Sequence, residues 1–140
     1  MKPKNLQKRR VSIILFYDNN GNILLQDRKE ISKAGEKYGL FGGGIEEGET
    51  PEQALIREVR EELNFDIKDF KFFKKETKII KETSLEIERW IYLASMPDIK
   101  NLVVSEGKPI IIKFVDSFNL KMLSRDIDSL KEIYKYLKQK

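Results

Sequence analysis

Residues 41–65 constrain the fold most strongly, because they join a run of glycines to a helix with a well-marked start. Thr50 can cap this helix, Pro51 suits its first position, and Gln53 stands where it completes a capping box. The apolar residues that follow recur at helical spacing, namely Leu55, Ile56, Val59 and Leu63. We therefore predict a helix over Pro51–Leu63 with one face packed against a core.

The other face of that helix carries three glutamates, Glu58, Glu61 and Glu62, at positions i, i+3 and i+4. Like charges at this spacing destabilise a helix by about 0.2–0.5 kcal/mol per pair. A divalent cation would offset the repulsion, and Mg²⁺ and Mn²⁺ prefer carboxylate and carbonyl oxygens. The chain has no histidine and no cysteine, so thiolate and imidazole metal ligands are excluded, as is a cysteine nucleophile. The helix is therefore a candidate metal site built from oxygen ligands.

Three consecutive glycines, Gly42, Gly43 and Gly44, precede the helix and let a ligand approach the backbone closely. Their amides or carbonyls are candidates for contact with phosphate or metal. Taken singly, an acidic helix face is most often solvated and a glycine cluster is most often a turn. The acidic helix face and the glycine cluster become informative when the spacing between them is considered together.

In that spacing the block resembles the Nudix box. The residues that match it in order are Gly43, Glu49, Arg57, Glu58, Val59, Glu61, Glu62 and Phe65. Asn64 replaces the second glycine of the pattern, a mild departure because asparagine tolerates a left-handed helix cap. Phe41 stands where many relatives have proline, which alters the loop and none of the carboxylates. The resemblance implies an α+β fold, a Nudix-type α/β/α sandwich around a mixed β-sheet, with residues 1–140 as a single domain.

The resemblance also implies roles for individual residues. Glu58, Glu61, Glu62 and the Gly42 carbonyl would hold Mg²⁺, for which Mn²⁺ can substitute, and the metal would activate a water molecule. Arg57 and Glu49 match a pair that orients the catalytic helix. Backbone groups of the three glycines would contact the substrate. The general base stays open among the box glutamates and one later residue.

That later residue is Glu106, in a segment at residues 105–109 that resembles one in the MutT-like branch of the family. By this likeness Glu106 is a further metal ligand or base, although a surface-turn glutamate explains it almost as well. Arg28 matches an arginine that relatives use to contact substrate, and a strand-end surface charge is an equal alternative. Trp90, Arg125 and Asp126 are further candidates for the substrate pocket.

The implied activity is Mg²⁺-dependent hydrolysis of a nucleoside diphosphate linked to a group X. A nucleoside triphosphate, including an oxidised one such as 8-oxo-dGTP, is the leading substrate class, and a monophosphate and pyrophosphate would be the products. One alternative is trimming of an RNA 5′ end, and another is a catalytically silent domain that senses a nucleotide. Silent members lose box glutamates, so the intact box favours an enzyme.

Outside the box, alternating apolar residues and turn signals predict strands at residues 11–17, 23–28, 38–44, 70–79, 84–95 and 109–115. An amphipathic helix is expected at residues 126–137, and residues 29–37 are expected to form a loop. In the strand at 84–95 every second residue is apolar, which predicts a half-buried strand. Arg89 interrupts that apolar face, and the sequence offers no explanation for it.

The net charge of +4 arises partly from basic residues crowded at both ends, which we interpret as solvated tails rather than a nucleic-acid site. No segment approaches the roughly 20 apolar residues that a membrane-spanning helix needs. We therefore expect a cytoplasmic protein with a nucleotide-type small-molecule substrate and no membrane partner. Both a monomer and a homodimer remain open.

Overall fold

The structure is a computed structural model that describes residues 5–103 and 107–139. Its strands are β1 (Gln7–Tyr17), β2 (Asn22–Asp27), β3 (Tyr38–Gly39), β4 (Phe41–Gly44), β5 (Lys71–Ile80), β6 (Leu85–Ser95) and β7 (Lys108–Lys113). Its α-helices are α1 (Pro51–Leu63), α2 (Phe114–Ser117) and α3 (Ser124–Lys138). Of the helices in this described part of the chain, none has both the length and the apolar character needed to cross a bilayer.

Strand β1 organises a mixed sheet. It pairs in parallel with β6 along its full length, from Gln7 opposite Leu85 to Tyr17 opposite Ser95. It also pairs antiparallel with both β2 and β4. The principal order of strands is β3-β2-β1-β6-β5, with β4 beside β1 and β7 beside β2. This arrangement confirms the predicted α+β class and its mixed sheet.

The two faces of the sheet are covered by different helices. Alternate residues of β1 divide between two buried clusters, because successive side chains of a strand point to opposite faces. One cluster joins β1 to α3, and its members include Val11, Ile13, Leu15, Leu130 and Ile133. The other joins β1 to α1, and its members include Ile14, Phe16, Leu55, Val59 and Leu63. The sheet therefore lies between two helices, which confirms the predicted sandwich.

Helix α1 has the predicted bounds because its signals are local. The Thr50 hydroxyl accepts a hydrogen bond from the Gln53 amide at 3.1 Å, and the Gln53 side chain accepts one from the Thr50 amide at 2.9 Å. At the other end Asn64 has the left-handed conformation, with φ of 51°. The predicted capping box and the predicted role of Asn64 are both confirmed.

Several strand predictions need correction. Residues 38–44 form two strands rather than one, and the chain leaves β7 after Lys113 to begin α2, so Val115 is helical. Strand β1 starts at Gln7, four residues earlier than predicted, because its pairing with β6 continues to that point. The half-buried prediction for β6 is wrong, since Tyr92 and Ala94 on its second face are buried against the α1 cluster.

Candidate active site

Helix α1 holds its three acidic residues at different depths, and two of them contact strand β4. Glu62 is buried, and its Oε1 accepts a hydrogen bond from the Gly42 amide at 2.9 Å. The Glu58 carboxyl lies directly against Gly43, where a side chain would overlap it. The Glu61 side chain is 58% exposed. The predicted common helix face of the three glutamates is confirmed. That face meets the glycines of β4, which we call the glycine strand.

The glycine strand can approach the helix and β1 only because it lacks side chains. Gly42 has φ of 131°, and a Cβ atom there would overlap backbone atoms of Ser12 and Ile13 in β1. Such a φ is readily available to glycine and strained for other residues. Gly42 and Gly43 therefore set the distance between the sheet and the carboxylates of α1.

Arg57 is the central contact of the site. Its Nε and Nη2 bind the two carboxylate oxygens of Glu49 at 2.8 and 2.9 Å, and Nη2 also donates to the Gly44 carbonyl at 2.8 Å. Its Nη1 lies 2.9 Å from an oxygen of Glu58 and 3.4 Å from one of Glu61. The contact that the resemblance implied between Arg57 and Glu49 is present, and it ties the loop after β4 to α1.

Replacing Arg57 by lysine should lower the free energy of unfolding by about 2–3 kcal/mol, because a lysine keeps the charge and loses the two-pronged contact. The change would remove the two Arg57 donors from Glu49, which keeps the hydrogen bond from the Glu46 amide, and the Arg57 donor from the Gly44 carbonyl. Urea unfolding of the two proteins measures the difference. The matched control is Arg60→Lys on the same helix, where an exposed pair with Asp66 predicts a change within about 0.5 kcal/mol. Equal effects of the two substitutions would contradict the assignment.

The hydrogen bonds from Arg57, with a further one from the Glu46 amide, lower the pKa of Glu49 from 4.5 to about 2. A carboxyl with a depressed pKa stabilises the folded state fully above its unfolded pKa of 4.5. We therefore expect this contribution to disappear as the pH falls from 4.5 towards 2. Urea unfolding across this range should show a smaller loss of stability in Glu49→Gln than in the unsubstituted protein, and parallel pH profiles would refute the prediction.

The donor set has the chemistry of a hard-cation site. Glu58 and Glu61 converge on one positively charged nitrogen of Arg57, so these carboxylates already share a cation. In residues 5–103 and 107–139 no three acidic side chains converge closely enough to hold a metal ion as they stand. Glu62 instead binds the Gly42 amide. Because all of these donors are oxygens, they fit Mg²⁺ or Mn²⁺. The predicted ligand Glu106 lies outside the described residues. The Gly42 carbonyl as a metal ligand stays a prediction.

A cavity of about 320 Å³ opens onto Gly42 and Gly43 from the α3 side of the sheet. Arg28, Arg125 and Asp126 line it, so the structure brings these sequence candidates together. Trp90 is absent from the described lining, and the prediction that placed it there is wrong. Its ring packs with the α1 cluster, on the opposite face of the sheet, near the cations of Arg10 and Lys75.

The loop before β3 forms one wall of this cavity and is internally braced. Oε1 of Glu36 accepts hydrogen bonds from the Ser32 hydroxyl at 2.6 Å and from the amides of Lys33 and Ala34 at 3.0 and 3.2 Å. The Lys37 amide donates to the Lys121 carbonyl, which joins the loop to the segment before α3. Sequence reasoning missed Glu36, because a single glutamate in a polar loop carries no distinguishing signal.

The structure explains why Arg89 interrupts the apolar face of β6, since polar partners surround its buried side chain. Its guanidinium binds Asp126 at 2.7 Å, Ser129 Oγ and the Arg125 carbonyl at 3.1 Å each, and the Glu76 carboxylate. Burial raises the pKa of Asp126, and the neighbouring Arg89 opposes that rise. The cluster fixes the start of α3 against β5 and β6, beside the cavity.

Comparison with known proteins places this geometry in context. The family model described as NUDIX domain matches residues 6–109. An 8-oxo-dGTP diphosphatase of Escherichia coli (strain K12) is 33% identical over 70 residues, which cover 50% of this chain and 54% of the relative. The matched segment thus spans about half the length of that curated relative.

Two solved structures share the fold. A MutT NUDIX hydrolase from Burkholderia pseudomallei superposes with a TM-score of 0.74 at 23% identity, covering 89% of this chain and 97% of that one. The E. coli dihydroneopterin triphosphate pyrophosphohydrolase gives a TM-score of 0.73 at 17% identity, covering 91% and 97%. These proteins carry different names on one architecture, so the fold alone does not identify a substrate.

Proposed function

This chain belongs to the NUDIX family, and we propose that it is a divalent-metal-dependent hydrolase that cleaves a phosphoric anhydride bond in a nucleoside diphosphate linked to a group X. The observation that carries the proposal is the convergence of Glu58 and Glu61 on one cationic nitrogen beside the glycine strand. A cavity large enough for part of a nucleotide opens onto the same glycines.

In the proposed mechanism Glu58, Glu61 and Glu62 would hold the metal ion. When bound, Mg²⁺ would neutralise charge on the diphosphate and lower the pKa of a bound water. Arg57 keeps Glu58 in place and fixes the loop through Gly44. Gly42 and Gly43 let phosphate oxygens approach the backbone, since they present no side chain. The proton acceptor is one of the three glutamates or Glu106.

Within this class, a nucleoside triphosphate is the leading substrate, including an oxidised one such as 8-oxo-dGTP. The support is the identity of 33% with a protein named 8-oxo-dGTP diphosphatase. A nucleoside monophosphate and pyrophosphate would be the products. Arg28 lies in the cavity wall, where its planar guanidinium suits the oxygens of a phosphate.

An RNA 5′ end is the second candidate, and a specific surface favours it. Lys8 and Arg10 of β1 are exposed and basic, and Arg10 together with Lys75 lies over the ring of Trp90. Aromatic rings flanked by cations bind single-stranded nucleic acid by stacking and charge. This surface lies on the α1 side of the sheet, away from the cavity.

A hydrolysis panel tests the proposal. The protein is incubated with Mg²⁺ and canonical nucleotides, oxidised nucleotides, nucleotide sugars, dinucleoside polyphosphates or capped RNA, and released phosphate and pyrophosphate are assayed. We expect pyrophosphate from a nucleoside triphosphate, and none once the metal is chelated. Tight nucleotide binding without turnover of any compound would refute the enzyme and favour a nucleotide sensor.

A further inference from the structure

The cavity beside the proposed active site has an excess of positive charge. Its described lining includes five basic residues, Arg9, Arg28, Lys33, Arg89 and Arg125, and two acidic residues, Glu36 and Asp126. Each of the two acidic residues already has hydrogen-bond donors. Asp126 binds Arg89, and Glu36 accepts hydrogen bonds from its own loop. Asp126 therefore offsets Arg89, and the single charge of Glu36, which acts on Arg28 and Arg125, leaves the other four basic side chains in excess.

Four of these basic side chains have no anionic partner among the described residues. No described carboxylate oxygen lies within 4.0 Å of the cationic nitrogens of Arg9, Arg28, Lys33 or Arg125. In the proposed function Arg28 contacts the oxygens of one substrate phosphate. Arg9, Lys33 and Arg125 would then be available to bind a second anionic group of the ligand.

Arg125 is the central member of this group. Its side chain is partly buried, and no described residue accepts a hydrogen bond from its guanidinium. Burial lowers the pKa of Arg125, Arg89 and Arg9 lower it further, and Asp126 and Glu36 oppose the shift. A desolvated cation next to other cations is destabilising until an anion binds it.

The rest of the lining offers little for stacking a base. It contains aliphatic residues and glycines but no aromatic ring in the part of the chain that is described. The aliphatic members are Val11, Ile13, Ala34, Leu40, Ile87 and Leu123. A purine in this cavity would therefore lack the aromatic partner that commonly stacks on bases. Charge, more than stacking, distinguishes the cavity.

We propose that the cavity binds a further phosphate group of the substrate, separate from the scissile diphosphate, through Arg125 with Arg9 and Lys33. The inference rests on the proposed function of the site and narrows its substrate class. It selects nucleoside polyphosphates that carry an additional phosphate on the ribose, at the 2′ or the 3′ position, over those such as 8-oxo-dGTP that carry none. A guanidinium is well suited to such a group because it donates two parallel hydrogen bonds to phosphate oxygens.

Binding of product-like nucleotides tests the inference without requiring turnover. Calorimetry without added metal compares adenosine 5′-monophosphate with adenosine 3′,5′-bisphosphate and adenosine 2′,5′-bisphosphate. We expect one bisphosphate to bind about tenfold more tightly than the monophosphate, as a charge-assisted contact predicts, and the preferred isomer identifies the position. In Arg125→Gln the ratio of the two affinities should fall to about one. The control Lys131→Gln, on the exposed face of α3, should keep the ratio.

The outcomes separate this inference from the proposed function. Equal affinity for the monophosphate and both bisphosphates would overturn the inference, even if the hydrolysis panel shows turnover. A preference for a bisphosphate that survives in Arg125→Gln would also overturn it. A preference that depends on Arg125, found together with no hydrolysis, would refute the enzyme and leave the phosphate site standing. Circular dichroism of each variant establishes that its fold is retained.

Discussion

Glu61→Gln should lower kcat at least about a hundredfold, since the amide keeps the size of the side chain and removes the charge that a metal ligand needs. Glu61 is the most exposed of the three box glutamates, and its described contact is to Arg57 at 3.4 Å. The change is therefore expected to act on metal binding rather than on the fold. Hydrolysis rates across a range of Mg²⁺ concentrations, with the best substrate of the panel, measure the effect.

The free energy of unfolding of Glu61→Gln is a second quantity to measure. Removing the Glu61 charge relieves its repulsion with Glu58 and Glu62 and also loses its attraction to Arg57, which lies four residues before it on the helix. Each of these surface interactions is worth a few tenths of a kcal/mol, so the free energy of unfolding should change by less than about 0.5 kcal/mol.

A matched control guards against a general effect of charge. Glu47 is exposed in the loop before the helix and is not among the proposed ligands, so Glu47→Gln should keep its activity. Full activity in Glu61→Gln would remove Glu61 from the proposed metal site. Similar losses in both variants would point to long-range electrostatics instead.

The parts of this molecule that were predictable depend on local sequence. The bounds of α1 follow from Thr50, Pro51 and Gln53, which act within one turn of the helix. The common face of the glutamates follows from helical periodicity. The contact between Arg57 and Glu49 was predictable only through the family resemblance, because eight residues and a turn separate the two.

The parts that were not predictable depend on which elements meet in space. Arg89 and Asp126 are 37 residues apart, and their pairing requires α3 to lie across β6. Trp90 was named as a pocket candidate although it lies on the α1 side of the sheet, because strand periodicity separates two faces without telling which helix covers each. The same limit explains β6, whose second face is buried by α1 although its sequence looks half polar.

Arg89→Met should lower the free energy of unfolding by about 3–5 kcal/mol, the largest effect on stability that we expect, since it leaves Asp126 without the cation that binds it and leaves Glu76 with Lys74 at 3.5 Å. The side chains of Asp126 and Glu76 are 13% and 9% exposed, so water would compensate them poorly. The hydroxyl of Ser129 and the Arg125 carbonyl would also lose a donor. Urea unfolding followed by the fluorescence of Trp90, the neighbouring residue in β6, measures the loss.

A double variant distinguishes a broken ion pair from a loss of packing. If the cost arises from the uncompensated charge of Asp126, then Arg89→Met combined with Asp126→Leu should lose less than the sum of the single variants, by more than about 1 kcal/mol. The control Arg9→Met changes an exposed arginine of β1 and should stay within about 0.5 kcal/mol of the unsubstituted protein. Additive losses in the double variant would mean that Arg89 stabilises the fold by packing alone. Non-additive losses would identify the pair as the electrostatic link that holds α3 beside the cavity.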